Sequence, residues 1–207
     1  EQRTPSRCGR LDQACAFGVM PVNMTFDGNE VFVDKIKVKK PLYWVFSELN
    51  GSKDTVKILS DLNKCYPFAE TEIEKNVQKA LGIENEKLIA KATKAIESGD
   101  AEQVGSLMVE AQNMFDSMVA PASPKELVAP QLHKVLNDEN IKKYTYGAKG
   151  VGSQGDGSVQ FLAKDEQSQA ELIKYIKDEY NMDGFTLTLK PEKKVRKAII
   201  PVAGFGT

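Results

Sequence analysis

Gly147-Ala148-Lys149-Gly150-Val151-Gly152-Ser153-Gln154-Gly155-Asp156-Gly157-Ser158 carries five glycines in its first eleven residues, and an alternating run, Val159-Gln160-Phe161-Leu162, follows at once. The run predicts a strand. A glycine-rich loop in front of a strand has two readings. It can present backbone N–H groups to an anion or receive another loop's backbone, or it can be a tight turn between two strands. Taken alone, the stretch favours the turn; its neighbours change the balance.

Downstream, residues 166–180 predict a helix and Gly184-Phe-Thr-Leu-Thr-Leu189 a closing strand. Upstream, Leu42-Tyr-Trp-Val-Phe46 is a continuous apolar run, as expected of a strand covered on both faces, with Trp44 in the core. Together these elements predict an α+β domain with a split βαβ, ferredoxin-like sheet and helices on one face. Further strands are expected at Val31–Val33 and Ile36–Val38, with Asp27-Gly28-Asn29 as a hairpin turn.

The segment between, 50–139, reads as helical. Gly51-Ser52 is a candidate cap for a helix over 53–63, with Val56, Leu59 and Leu62 on one side. Lys53-Asp54-Thr55 reads as its solvated first turn rather than a ligand contact. Helices are expected at about 70–81, 84–98 and 100–119. The last carries Val104, Leu107, Met108, Ala111, Phe115 and Met118 at helical spacing, a core seam. Ser123-Pro124 opens another helix, with proline at its first position. His133, the single histidine, lies on it and reads as structural.

At the start, Cys8-Gly9-Arg10-Leu11-Asp12-Gln13 places an acid among small and apolar residues, where burial raises a carboxylate's pKa and an adjacent Arg7 or Arg10 lowers it. From these residues alone a structural, salt-bridged Asp12 is the simpler reading. At the end, a charged stretch at 191–197 leads into Ala198-Ile-Ile-Pro-Val-Ala203-Gly204-Phe-Gly206-Thr207, a strand running into a glycine turn of the kind that opens a phosphate-binding βα unit.

Composition narrows the function classes. The 207 residues are 41% hydrophobic and 28% charged, with a net charge of -1, so no basic field points to nucleic acid. No apolar run approaches the roughly 18 residues of a membrane span, and no apolar signal core opens the chain. Cys8, Cys15 and Cys65 fit neither a disulfide framework nor a zinc site, so a reduced, cytoplasmic protein is expected. The absence of an initiator Met marks an internal segment of a longer chain as the expectation.

Three pieces in this order resemble the second half of a sugar kinase of the galactokinase, homoserine kinase, mevalonate kinase and phosphomevalonate kinase (GHMP) superfamily. They are Gly9-Arg10-Leu11-Asp12-Gln13, then Leu107-Met108 with Ser123-Pro124-Lys125-Glu126-Leu127, then Gly147-Ala148-Lys149 leading into the glycine cluster. The similarity spans residues 1–190, and residues 191–207 resemble the first strand and nucleotide loop of a sugar-1-phosphate nucleotidyltransferase. The resemblance implies a bifunctional chain that phosphorylates a hexose, at its anomeric hydroxyl, for nucleotide-sugar synthesis. It implies ATP and Mg²⁺ as cofactors, and a small-molecule sugar and the remainder of the same polypeptide as partners. Asp12 would be the catalytic base and Arg7 its electrostatic partner. Gly150, Gly152, Ser153, Gly155, Asp156 and Gly157 would line the phosphate and sugar site. Ala203, Gly204, Gly206 and Thr207 would begin an incomplete nucleotidyltransferase loop.

The chain also departs from the family pattern. It has no Pro…Gly-Ser-Ser-Ser loop for the ATP phosphates, so the 207-residue piece alone is expected to be inactive. Val109 and Gln112 stand where the family has Asn and His, and Gln154 and Asp156 where it tends to have Gly or Ala. These departures leave two other readings open: a kinase-like domain that binds sugar without turnover, and another GHMP activity of the mevalonate type.

Overall fold

The computed structural model describes residues 21–27 and 30–191. Asp12, Arg7, the Gly28-Asn29 turn and the tail at 192–207 lie outside the described residues. Strands β1 (Val22–Asp27) and β2 (Glu30–Lys35) pair antiparallel, with Val22 opposite Lys35. Four more strands form the main sheet: β3 (Leu42–Glu48), β4 (Thr145–Gly150), β5 (Ser158–Ala163) and β6 (Gly184–Leu189). Their order is β4-β5-β3-β6, every neighbouring pair antiparallel. The split βαβ arrangement expected from the sequence is therefore present, with β5 inserted between the two strands that the helical segment joins.

Eight helices complete the described chain. They are α1 (Thr55–Asn63), α2 (Glu72–Lys79), α3 (Asn85–Ser98), α4 (Ala101–Met114), α5 (Pro124–Leu127), α6 (Pro130–Leu136), α7 (Glu139–Tyr144) and α8 (Glu166–Tyr180). Wide π turns at Ala80–Glu84 and Phe115–Val119 follow α2 and α4. Local chemistry sets most of the starts. Thr71 and Glu74 form a reciprocal capping box on α2, and the carboxylates of Asp100 and Asp165 accept from the third residue of α4 and α8.

Several expectations need correction. The cap of α1 is Asp54, whose Oδ1 accepts from Lys57 N at 2.9 Å, and not Gly51-Ser52. Its buried residue is Ile58, while Val56 and Leu59 face solvent. Ile36–Val38 is not a strand; both end residues are buried because the segment folds onto the core, and burial alone produced the alternation. The helix expected from Ser123 breaks at Ala129, which takes φ 43° in front of Pro130. A proline disfavours the right-handed helical conformation in the residue before it, so the chain restarts as a separate α6.

The helices also divide between both sheet faces. Successive strand residues point to opposite sides. Val45 and Phe161 pack with Leu172 and Ile176 of α8 and with Leu132, Val135 and Ile141 of α6 and α7. Leu42, Trp44 and Leu162 pack with Ala95 of α3 and with Val104, Leu107 and Met108 of α4. The continuous apolar run of β3 records this two-sided burial.

Helix α4 sits unusually close to the edge strand β4. A Cβ on Gly147 would lie 2.1 Å from the Gly105 carbonyl oxygen, and one on Gly105 would lie 2.5 Å from the Tyr146 carbonyl carbon. Both positions are glycine because two backbones touch. Gly147→Ala is expected to cost about 1–3 kcal/mol in urea unfolding, the range for overpacking a close-packed contact; unchanged stability would show that the helix can move off the strand freely.

Candidate functional site

The glycine stretch resolves into the end of β4, a turn at residues 151–157, and β5. Two backbone bonds shape the turn: Val151 N donates to Ser158 O at 3.1 Å, and Gln154 N to Val151 O at 3.1 Å. Gly152, Gln154 and Gly155 take φ values of 60°, 63° and 70°. Glycine accepts this left-handed conformation at no steric cost, and Gln154 is the exception.

The remaining backbone N–H groups are a different matter. Those of Gly152, Ser153, Gly155, Asp156 and Gly157 donate to no backbone carbonyl among the described residues. Free donors in a left-handed turn are the elements of an anion-binding nest.

The side chains around the turn fix it from three directions. Lys53, just before α1, donates from Nζ to Gln154 O at 2.8 Å. Its stem lies against Gly155 and Gly157, where a Cβ on Gly157 would meet Lys53 Cε at 2.6 Å. Burial lowers the Lys53 pKa, and no carboxylate among the described residues pairs with it. From α6, Leu132 N donates to Asp156 Oδ1 at 2.9 Å, so this buried carboxylate faces the positive end of a short helix. From α4, Gln112 Oε1 accepts from Gly150 N at 2.8 Å. The Gln154 amide oxygen is buried with no hydrogen-bond partner among the described residues and points at Gly150.

The structure thus brings Gly152, Ser153, Gly155, Asp156 and Gly157 into one turn, with Gly150 at the end of β4 beside it, and their exposure is unequal. Gly152 is open to solvent and Ser153 half-exposed, while Gly155 and Asp156 are buried. The sequence reading set Lys53 aside as solvated, yet it is the cation seated under the turn. The signal was its place directly before the capping Asp54.

A cleft of about 370 Å³ lies between α4, α6, α7 and the first part of β4. Leu136, Ile141 and Ala148 contribute apolar surface, and Asn113, Asp116 and His133 line its polar part. His133 Nε2 lies 3.0 Å from Asp116 Oδ2, and Nδ1 lies 2.8 Å from the Ala129 carbonyl. Both ring nitrogens face acceptors, so the doubly protonated ring satisfies both. Asp116 stands on the π turn after α4, a helical irregularity often found at functional sites. The sequence reads His133 as structural; the fold places the Asp116 carboxylate against it.

No family model and no curated protein matches this sequence. Solved structures do match the fold. Lactococcus lactis galactokinase complexed with galactose superposes with a TM-score of 0.60 at 13% identity, over 90% of this chain and 55% of that one. L. major mevalonate kinase in complex with R-mevalonate gives 0.59 at 16% identity, over 82% and 49%. Streptococcus pneumoniae phosphomevalonate kinase gives 0.55 at 12%, over 77% and 44%. The chain spans about half the length of the kinases it matches. The fold is α+β, like that of the C-terminal part of GHMP kinases. Among the described residues no helix is long and apolar enough to cross a membrane, and no cluster of three His, Cys, Asp or Glu residues could hold a metal ion.

A pH signature follows from the His133 contacts. Burial pulls its pKa down, but the Asp116 carboxylate and the Ala129 carbonyl outweigh it and hold the value above the usual 6.5. A raised histidine pKa adds stability that is complete below the unfolded value and is lost as pH rises through the folded value. The melting temperature should therefore fall across the neutral range, and His133→Gln should remove that part of the slope. An identical slope in the variant would contradict the contact.

Proposed function

We propose that this chain is part of an ATP-dependent kinase whose substrate is a small hydroxylated metabolite, a hexose phosphorylated at its anomeric hydroxyl. The observation that carries the proposal is the turn at 151–157. Its unpaired N–H groups and the acid-free Lys53 form an anion-type donor set, in a fold shared with a galactokinase complexed with galactose.

Phosphoryl transfer depends on positioning and on neutralising the charge of the transferred group. The donor set fits a phosphate of ATP. Lys53 and the N–H groups of Ser153, Gly155, Asp156 and Gly157 would hold it, and ATP would supply the transferred phosphoryl group. The described residues offer no metal-ligand cluster for Mg²⁺. Asp12 is proposed as the base that accepts the sugar hydroxyl proton, with Arg7 as its electrostatic partner. Ala203, Gly204, Gly206 and Thr207 are proposed as the opening of a nucleotidyltransferase unit, which would consume the sugar 1-phosphate.

One observation favours a second reading, sugar binding without turnover. Gln154 and Asp156 are buried inside the turn and occupy room that smaller residues would leave open.

ADP release by the full-length protein with ATP and a panel of hexoses separates the two. Sugar-dependent release supports the kinase, and calorimetric sugar binding without release supports the binder. In the full-length kinase, Asp12→Asn should lower turnover roughly 10²–10⁴-fold with the fold retained, as for loss of a general base. Near-normal turnover would remove Asp12 from the mechanism. The 207-residue chain alone should show no sugar-dependent release.

A further inference from the structure

Polar groups around the glycine turn form a closed circuit. Gly150 N, at the turn's start, donates to Gln112 Oε1 at 2.8 Å. Gln112 Nε2 donates to Asp116 Oδ1 at 2.8 Å. The other oxygen of Asp116 faces His133 Nε2 at 3.0 Å. His133 adjoins Leu132, whose N–H donates to Asp156 Oδ1 at the turn's far side. The turn is therefore gripped at both ends by elements that meet at residues 132 and 133.

We propose that Gln112, Asp116 and His133 are positioning residues for the glycine turn, and that this chain carries the protonation state of the single histidine to the Gly150 amide. The physical basis is a count of donors. Both nitrogens of the charged ring serve the Ala129 carbonyl and the Asp116 carboxylate. The neutral ring has one N–H and leaves one acceptor without a donor. When Asp116 is the acceptor released, its carboxylate loses the anchor on Oδ2, and the oxygen that accepts from Gln112 Nε2 is no longer held in place. Gln112 is 4% exposed, so water cannot replace that partner cheaply. Its other end holds Gly150 N, and the change reaches the turn.

The charged surroundings of His133 are few. Asp116 faces it from the π turn, and Lys142 of α7 lines the same cleft, engaged by Glu139 at 2.7 Å. Lys134 is adjacent on α6 itself. The stretch of β4 that lines the cleft, Thr145–Ala148, carries no charge. Asp116 is the ionisable side chain within hydrogen-bond distance of the ring. What the turn serves rests on the kinase reading above; how it is held does not.

The test is an NMR pH titration of the isotope-labelled 207-residue chain. The lone histidine gives an unambiguous ring signal, followed together with the Gly150 amide. The Gly150 shift is expected to move with the same midpoint as the ring. In Gln112→Leu the ring should still titrate while Gly150 stays flat, and in His133→Gln Gly150 should also stay flat. A wild-type Gly150 amide that ignores the ring's transition overturns the proposal, as does one that follows it unchanged in Gln112→Leu. Because the readout is not activity, a full-length protein without kinase turnover would sink the function proposed above and leave this result standing.

Discussion

The contact between the backbones of Gly105 and Gly147 is what the rest of the molecule depends on. It lets α4 run against β4 with no side chain between them. Gln112 lies seven residues beyond Gly105 and Gly150 three beyond Gly147. Seven helical residues rise about 10.5 Å and three strand residues about 10 Å, so helix and strand stay in step. That match delivers the Gln112 amide to Gly150 N at 2.8 Å. Any bulk at either glycine would push the helix outward and strand the amide.

From that seat the architecture follows. The face carrying Trp44 and Leu162 is covered by α3 and α4, and the face carrying Val45 and Phe161 by α6, α7 and α8. The turn at 151–157 emerges where α1, α4 and α6 converge, so it is held firmly while its N–H groups stay uncommitted. A loop that must meet a charged group gains from such holding, since its donors are set before the ligand arrives. Lys53 and Lys149 both donate to carbonyls of the turn region, from Lys53 Nζ to Gln154 O and from Lys149 Nζ to Gly150 O, and neither pairs with an acid among the described residues.

Much of this was legible in the sequence, and the reasons can be located. Helix α8 and strand β6 were read at their observed bounds, because Asp165 caps the one and strict alternation marks the other. The two-sided burial of β3 was written in its unbroken apolar run. The placement of helices on both faces was not legible, since periodicity reports that a face is buried and not which neighbour buries it. Nor was the break at Ala129 read, although Pro130 stood beside it. The glycine cluster was recognised as one unit, but its buried side could not be foreseen. Which turn residues lie inward depends on Lys53, Gln112 and Leu132, all far away in sequence. His133 and Asp116 are seventeen residues apart on separate helical elements, and only the tertiary fold brings them together.

The seating of α4 on β4 is most directly tested by native-state amide hydrogen exchange. An edge strand lacking a partner on one side should open readily, whereas one clamped by a helix backbone should open only with the whole fold. The amides of Thr145–Gly150 should exchange among the slowest of the described residues, far slower than those of the exposed β1–β2 pair. Exchange of β4 as fast as that of the β1–β2 pair would contradict this seating.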